Sequence, residues 1–128
     1  MLSYLLVAIG SATGGMARYA ASGLAARFIS DEFPWGTLIV NVSGSMLLGV
    51  LAATIPEDGR LFSSHDARAL LMVGLCGGFT TFSSFSLEAL NLARNGEWLG
   101  AGGYVVGSVL LCLAGVALGY FGAQALAR

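Results

Sequence analysis

Between Gly74 and Ser86 the chain reads GLCGGFTTFSSFS. Hydroxyls at residues 80, 81, 83, 84 and 86 lie among phenylalanines at 79, 82 and 85, and Glu88 follows. Two further polar lines occur: Thr37, Asn41 and Ser45 recur at i, i+4 and i+8, and Tyr104 and Ser108 repeat the spacing, with Cys112 continuing the line. At helical spacing each line shares one face. Amides and hydroxyls donate hydrogen bonds, and a phenyl edge carries partial positive charge. Neutral donors without cationic side chains suit a small anion or a neutral polar solute; a cation is not excluded, since hydroxyls also accept. Weak contacts at several sites are what conduction requires. Hydrolytic chemistry finds no footing, because the sequence offers no nucleophile–base pair and no metal cluster; the chain does not read as an enzyme. Cys76 and Cys112 lack metal-ligand spacing and read as small hydrophobes. His65, beside Ser63, Ser64 and Asp66, reads as a solvated loop residue.

These residues sit in a chain of 128 residues that is 56% hydrophobic and 10% charged, with a mean hydropathy of +0.80. A soluble domain carries roughly 25% charged residues, so the expected solvent is the lipid bilayer. The net charge of −1 offers no basic patch for nucleic acid. A membrane helix needs about 20 apolar residues. Four candidate spans appear, at about 2–28, 34–55, 66–94 and 98–127, joined by short links, in one all-α transmembrane domain. The first reads as a retained span, since it lacks the cationic start of a signal peptide. Pro56 and Gly59 mark the middle link as a turn.

Polar groups in hydrocarbon are costly unless satisfied. A single Ser or Thr commonly bonds back to the i−4 carbonyl, and Asn can cross-link helices. Polar lines on three helices at once favour a lined path instead. Glu88, ionisable within a span, is a functional candidate by default.

The third segment, as one straight helix, would be about 43 Å long against a hydrocarbon core of roughly 30 Å. Glycines at 74, 77 and 78 near its centre predict a broken helix, unwound between about Gly74 and Thr81. Such backbone is tolerated at membrane depth only where it is buried or lines a cavity, and freed carbonyls there can coordinate a cation. Lysine is absent, and the arginines divide nearly evenly, with Arg60, Arg68 and Arg128 on one side and Arg27, Arg94 and the deeper Arg18 on the other. So weak a bias does not fix orientation. Insertion both ways up and an antiparallel homodimer are therefore expected, with the two breaks facing each other near the midplane. Glycine pairs 10/14, 103/107 and 115/119 suit close helix approach.

The strings GGMARY (Gly14–Tyr19), GTLIVNVSG (Gly36–Gly44) and GLCGGFTTFSSF (Gly74–Phe85) together resemble the bacterial fluoride channel family, Fluc, also called CrcB. The resemblance implies a dual-topology antiparallel homodimer in the bacterial inner membrane, with two passive fluoride pathways. It implies a structural sodium ion at the dimer centre, held by backbone carbonyls of Gly77 and Thr80 from both subunits. Phe82 and Phe85 match the aromatic pair of the pathway, and Asn41 the amide beside it. Ser83, Ser84 and Glu88 match a polar track; Tyr104, Ser108 and Thr37 fit its walls, and Arg18 matches a motif arginine near a vestibule or in a structural role. Small proton-coupled multidrug exporters of dual topology are similar in size. They need an acidic residue deep in the first span, where this chain has only arginines as charges.

Overall fold

The computed structural model describes residues 1–57 and 62–128. Gly59 and Arg60 of the middle link lie outside them. All regular structure among the described residues is helical: α1 (Leu2–Phe28), α2 (Trp35–Thr54), α3 (Phe62–Ala67), a π-helical segment (Arg68–Cys76), α4 (Gly77–Phe79), α5 (Phe82–Arg94) and α6 (Trp98–Leu126). Three stretches are long and apolar enough to cross a membrane: Trp35–Thr54, Ser64–Arg94 and Trp98–Leu126. With its 27 residues α1 is long enough but less apolar.

Two helix pairs form around glycines that bring backbone against backbone. Along α1, a Cβ added to Gly10 would collide with the carbonyl of Leu70, and one on Gly14 with the carbonyl of Leu75. Gly78 faces the main chain of Ser11 from the other side. Between α2 and α6, Gly49 meets the backbone of Val116 and Tyr120, Gly115 meets the carbonyl of Val42, and Gly119 meets that of Met46. Two of the expected glycine pairs are thus used within the chain. Gly103 and Gly107 have open space where a Cβ would stand and seat no helix of this chain.

The third segment is interrupted, but more narrowly than expected. Gly74–Phe79 stay helical, with Leu75 and Cys76 closing the π-helical stretch. Only Thr80 (φ −81°, ψ 157°) and Thr81 (φ −149°, ψ 121°) are extended. Gly74 and Gly78 serve close packing against α1 rather than unwinding; the break falls on two β-branched residues, which favour extended backbone. His65 also departs from expectation: it lies in α3, not in a loop, with Nδ1 3.9 Å from Asp66 Oδ1.

A tight link aligns α5 with α6. Gly96 (φ 81°) is the one residue with positive φ among those described. The left-handed conformation is cheap for glycine, and Gly96 and Glu97 return their N–H groups to the carbonyls of Ala93 and Leu92 (3.0 and 2.9 Å). The resulting antiparallel hairpin brings Glu88 beside Tyr104.

Neighbouring glycines test the α1 contact. Gly15 has open space around its Cβ position. Gly14→Val should lower stability in detergent by about 1–3 kcal/mol, the usual penalty of overpacking, while Gly15→Val changes it little. Thermal unfolding of both variants checks this.

Candidate functional site

The break raises a problem of unpaired backbone. Two extended residues inside a span expose main-chain groups that hydrocarbon cannot satisfy. Asn41, midway along α2, answers most of it. Its Oδ1 accepts from the Thr81 N–H at 2.8 Å, and its Nδ2 donates to the Thr81 carbonyl at 3.0 Å. The side-chain amide thus pairs with Thr81 as a neighbouring strand would. The Thr80 N–H and hydroxyl both donate to the Cys76 carbonyl at 2.9 Å. Arg18 Nε donates to the Gly78 carbonyl at 3.2 Å, which gives this arginine a structural part at the break. Thr81 Oγ1 caps α5 by accepting from the Ser84 N–H at 3.2 Å, an arrangement typical of helix starts.

What remains unpaired is orderly. Among the described residues, no hydrogen bond reaches the carbonyls of Gly77, Phe79 or Thr80, or uses the N–H groups of Phe82 and Ser83. Free acceptors gather at the end of α4 and free donors at the start of α5.

Beside the break lies a groove of about 320 Å³. Asn41, Ser45, Gly77, Thr80, Thr81, Phe82, Phe85, Ser108 and Cys112 form much of its wall, and none of its lining residues is charged. Phe82 is 77% exposed, whereas Phe85 is buried. The hydroxyl of Ser108 is buried and has no hydrogen-bond partner. Other hydroxyls in the helices follow the membrane habit of bonding back to the i−4 carbonyl, as Thr13, Ser43, Thr54 and Ser86 do. Ser108 does not. An unpaired buried hydroxyl costs about 1–3 kcal/mol.

A second cavity, of about 330 Å³, opens at the link between α1 and α2. Its wall includes Asp31, Glu32, Phe33, Thr37, Glu88, Asn91 and Glu97. Glu88 belongs to this second wall only. Thr37 Oγ1 donates to its Oε1 at 2.8 Å, and Tyr104 OH donates to its Oε2 at 2.7 Å. An aromatic row runs the same way: Phe33 against Tyr104 (5.4 Å, edge-on), Tyr104 stacked on Phe85 (5.1 Å), and Phe85 against Phe82 (5.3 Å). Phe79 is not part of it; its ring lies near Gly44.

The structure therefore brings Asn41, Phe82, Phe85 and Ser108 to one groove and joins Thr37, Glu88 and Tyr104 by hydrogen bonds. Ser83 and Ser84 are on the wall of neither cavity; Ser83 Oγ is 3.3 Å from Thr81 Oγ1. The sequence reading missed the clamping of Thr81 and the part of Phe33. The pattern Thr81-x-x-Ser84 was a legible helix start. Phe33, in a link, carried no periodic signal.

Residues 5–120 match the family model described as CrcB-like protein, Camphor Resistance (CrcB). The chain belongs to the CrcB family. It is 52% identical over 128 residues, covering all of both chains, to a protein of Paramagnetospirillum magneticum named fluoride-specific ion channel FluC. Proteins of the same name from Opitutus terrae and Rhodospirillum rubrum are 50% and 52% identical over 126 and 122 residues. Those matches cover 98% and 95% of this chain, and 96% and 95% of the relatives. With its apolar helices, this CrcB-family chain is a multi-pass membrane protein.

The Glu88 bridge gives a measurable coupling. An intramolecular hydrogen bond typically contributes about 0.5–1.5 kcal/mol. Tyr104→Phe should destabilise the chain by a comparable amount, and by much less in a Glu88→Ala background. A double-mutant cycle of unfolding in micelles reads the difference; equal losses in both backgrounds would dissolve the bridge.

Proposed function

We propose that the chain is a fluoride channel, conducting the anion passively across the bacterial inner membrane. The observation that carries this reading is the convergence of Asn41, Phe82, Phe85 and Ser108 on one groove without a charged lining residue. The relatives' name, fluoride-specific ion channel, supports the choice of ion. Fluoride is small and strongly hydrated, so it needs donors to replace lost water. A fixed ammonium or guanidinium would hold it; an amide, hydroxyls and ring edges let it move on. The path runs from the cavity at Glu88, along Thr37, Tyr104 and the aromatic row, to the groove at Phe82 and Ser108. Thr37, Tyr104 and Glu88 shape its neck, while Ser83 and Ser84 extend the hydroxyl supply on α5. Acid outside a cell drives entry of hydrogen fluoride, and a passive anion path then lets fluoride leave down its gradient. No step in this reading is catalytic.

The working unit is an antiparallel homodimer with α1 as its fourth span and two pathways. The open groove and the exposed Phe82 ring on one subunit support a covering second copy. Residues at the break fit a structural sodium ion. The carbonyls of Gly77 and Thr80 accept no hydrogen bond among the described residues, and hard cations take such oxygens. When bound, sodium supplies a positive charge that neutralises these carbonyl dipoles. Arg18 and Asn41 hold the neighbouring backbone in place meanwhile. The exporter alternative finds no acidic residue in α1.

Purified protein in liposomes tests the proposal. Fluoride should leave rapidly without a proton gradient while chloride stays. Phe82→Ile and Phe85→Ile should each cut flux tenfold or more with the dimer intact. Vesicles prepared without sodium should lose dimer and flux together. Fluoride efflux that requires a proton gradient, or chloride efflux at the same rate, would overturn the reading.

A further inference from the structure

Phe33 lies in the short link between α1 and α2, on the wall of the second cavity and at the end of the aromatic row. A tight turn holds it there. The Trp35 N–H donates to the Phe33 carbonyl at 2.8 Å, and Pro34 between them has φ −77° and ψ 60°. This is an inverse γ-turn, whose central residue takes a φ of about −75° and a ψ of about +65°. Proline suits that place because its ring presets φ, and it keeps the residue before it out of helical backbone. The Trp35 ring packs on the Phe33 ring with centroids 4.7 Å apart. Half-buried Phe33 is thus held through its main chain and through its ring.

The ring it meets is Tyr104, which is 1% exposed. Phe85 stacks on Tyr104 at 5.1 Å and 28°, and Phe33 meets it at 5.4 Å and 78°. A stacked ring and an edge-on ring together fix the plane and place of the phenol. The hydrogen bond to Glu88 at 2.7 Å then fixes its tip. Such ring pairs contribute beyond the area they bury, so an aliphatic side chain does not replace Phe33. Without the Phe33 ring, Tyr104 would border a cavity of about 330 Å³, and water entering there would compete for the Glu88 carboxyl.

We infer that Phe33 is a positioning residue for the neck of the pathway: its turn-held ring keeps the Tyr104 hydroxyl on Glu88 and the Tyr104 ring stacked on Phe85. This rests on the fluoride-channel reading and gives the link between α1 and α2, outside the long helices, a part in setting the neck. Phe33 acts through Tyr104 and not on the ion. The turn explains why a residue in a short link can do so. A flexible link would let the ring swing away from Tyr104, whereas Pro34 and Trp35 leave it one place to stand.

Phe33→Leu keeps an apolar side chain and removes the ring. Fluoride flux from liposomes should fall about fivefold in this variant. Tyr104→Phe, which removes only the hydroxyl, should lower flux about as much in the wild type but by less than twofold in Phe33→Leu, where the hydroxyl has already left Glu88. A merely structural loss would not produce that dependence. Losses that multiply across the two substitutions would overturn the positioning role, as would wild-type flux in Phe33→Leu. Absence of fluoride flux in the wild type would instead sink the channel reading, and Tyr104 is then followed without flux. NMR of tyrosine-ring-labelled protein in nanodiscs should show cross-peaks between the Phe33 and Tyr104 rings, and a Tyr104 ring flip at least tenfold faster in Phe33→Leu. An unchanged flip rate would overturn the role. Should Phe33→Leu not assemble, the wild-type spectrum decides: missing ring–ring cross-peaks would overturn it.

Discussion

One side-chain amide holds the break in this fold together. Asn41 both accepts from and donates to the main chain of Thr81, so two extended residues are held inside a span. The bond pair ties α2 to the point where the third segment changes course. Without it, the backbone would close into a continuous helix or stand unpaired in hydrocarbon, where each orphaned group costs several kcal/mol. The carboxamide is suited to this because it carries a donor and an acceptor in one plane. Its second N–H is not consumed by Thr81.

From that clamp the distribution of free polar groups follows. The helix before the break ends in unpaired carbonyls, and the helix after it begins in unpaired amides. A single interruption therefore leaves free acceptors and free donors a few residues apart. Arg18 secures the carbonyl of Gly78. Gly74 and Gly78 of the third segment act differently, by letting α1 approach closely, while Gly44 of α2 seats Phe79 and Thr80. Nearer the second cavity, the Glu88 carboxyl is engaged by the hydroxyls of Thr37 and Tyr104.

Much of this was legible in the sequence. Apolar length marked the helices closely: 34–55 became Trp35–Thr54, and 98–127 became Trp98–Leu126. Helical spacing put Asn41 and Ser45 on one face, and both line the groove. The spacing of Tyr104 and Ser108 likewise survived. Glycine content misplaced the edges of the break, because glycine serves close packing as readily as unwinding. The π-helical stretch had no signal at all, since one extra residue per turn leaves no mark on an apolar run. Phe79, Phe82 and Phe85 looked alike in spacing, yet the extended pair re-aims the chain between the first and the other two. Which backbone groups stay unpaired depends on tertiary partners that a single chain of letters does not display.

The clamp itself is the claim most open to direct measurement. Amide hydrogen exchange at Thr81, followed by NMR in nanodiscs alongside fluoride flux from liposomes, should show a protected amide in the wild type. In Asn41→Ala that protection and the flux should fall together, each by at least tenfold. Full flux through a variant whose Thr81 amide exchanges freely would contradict the account.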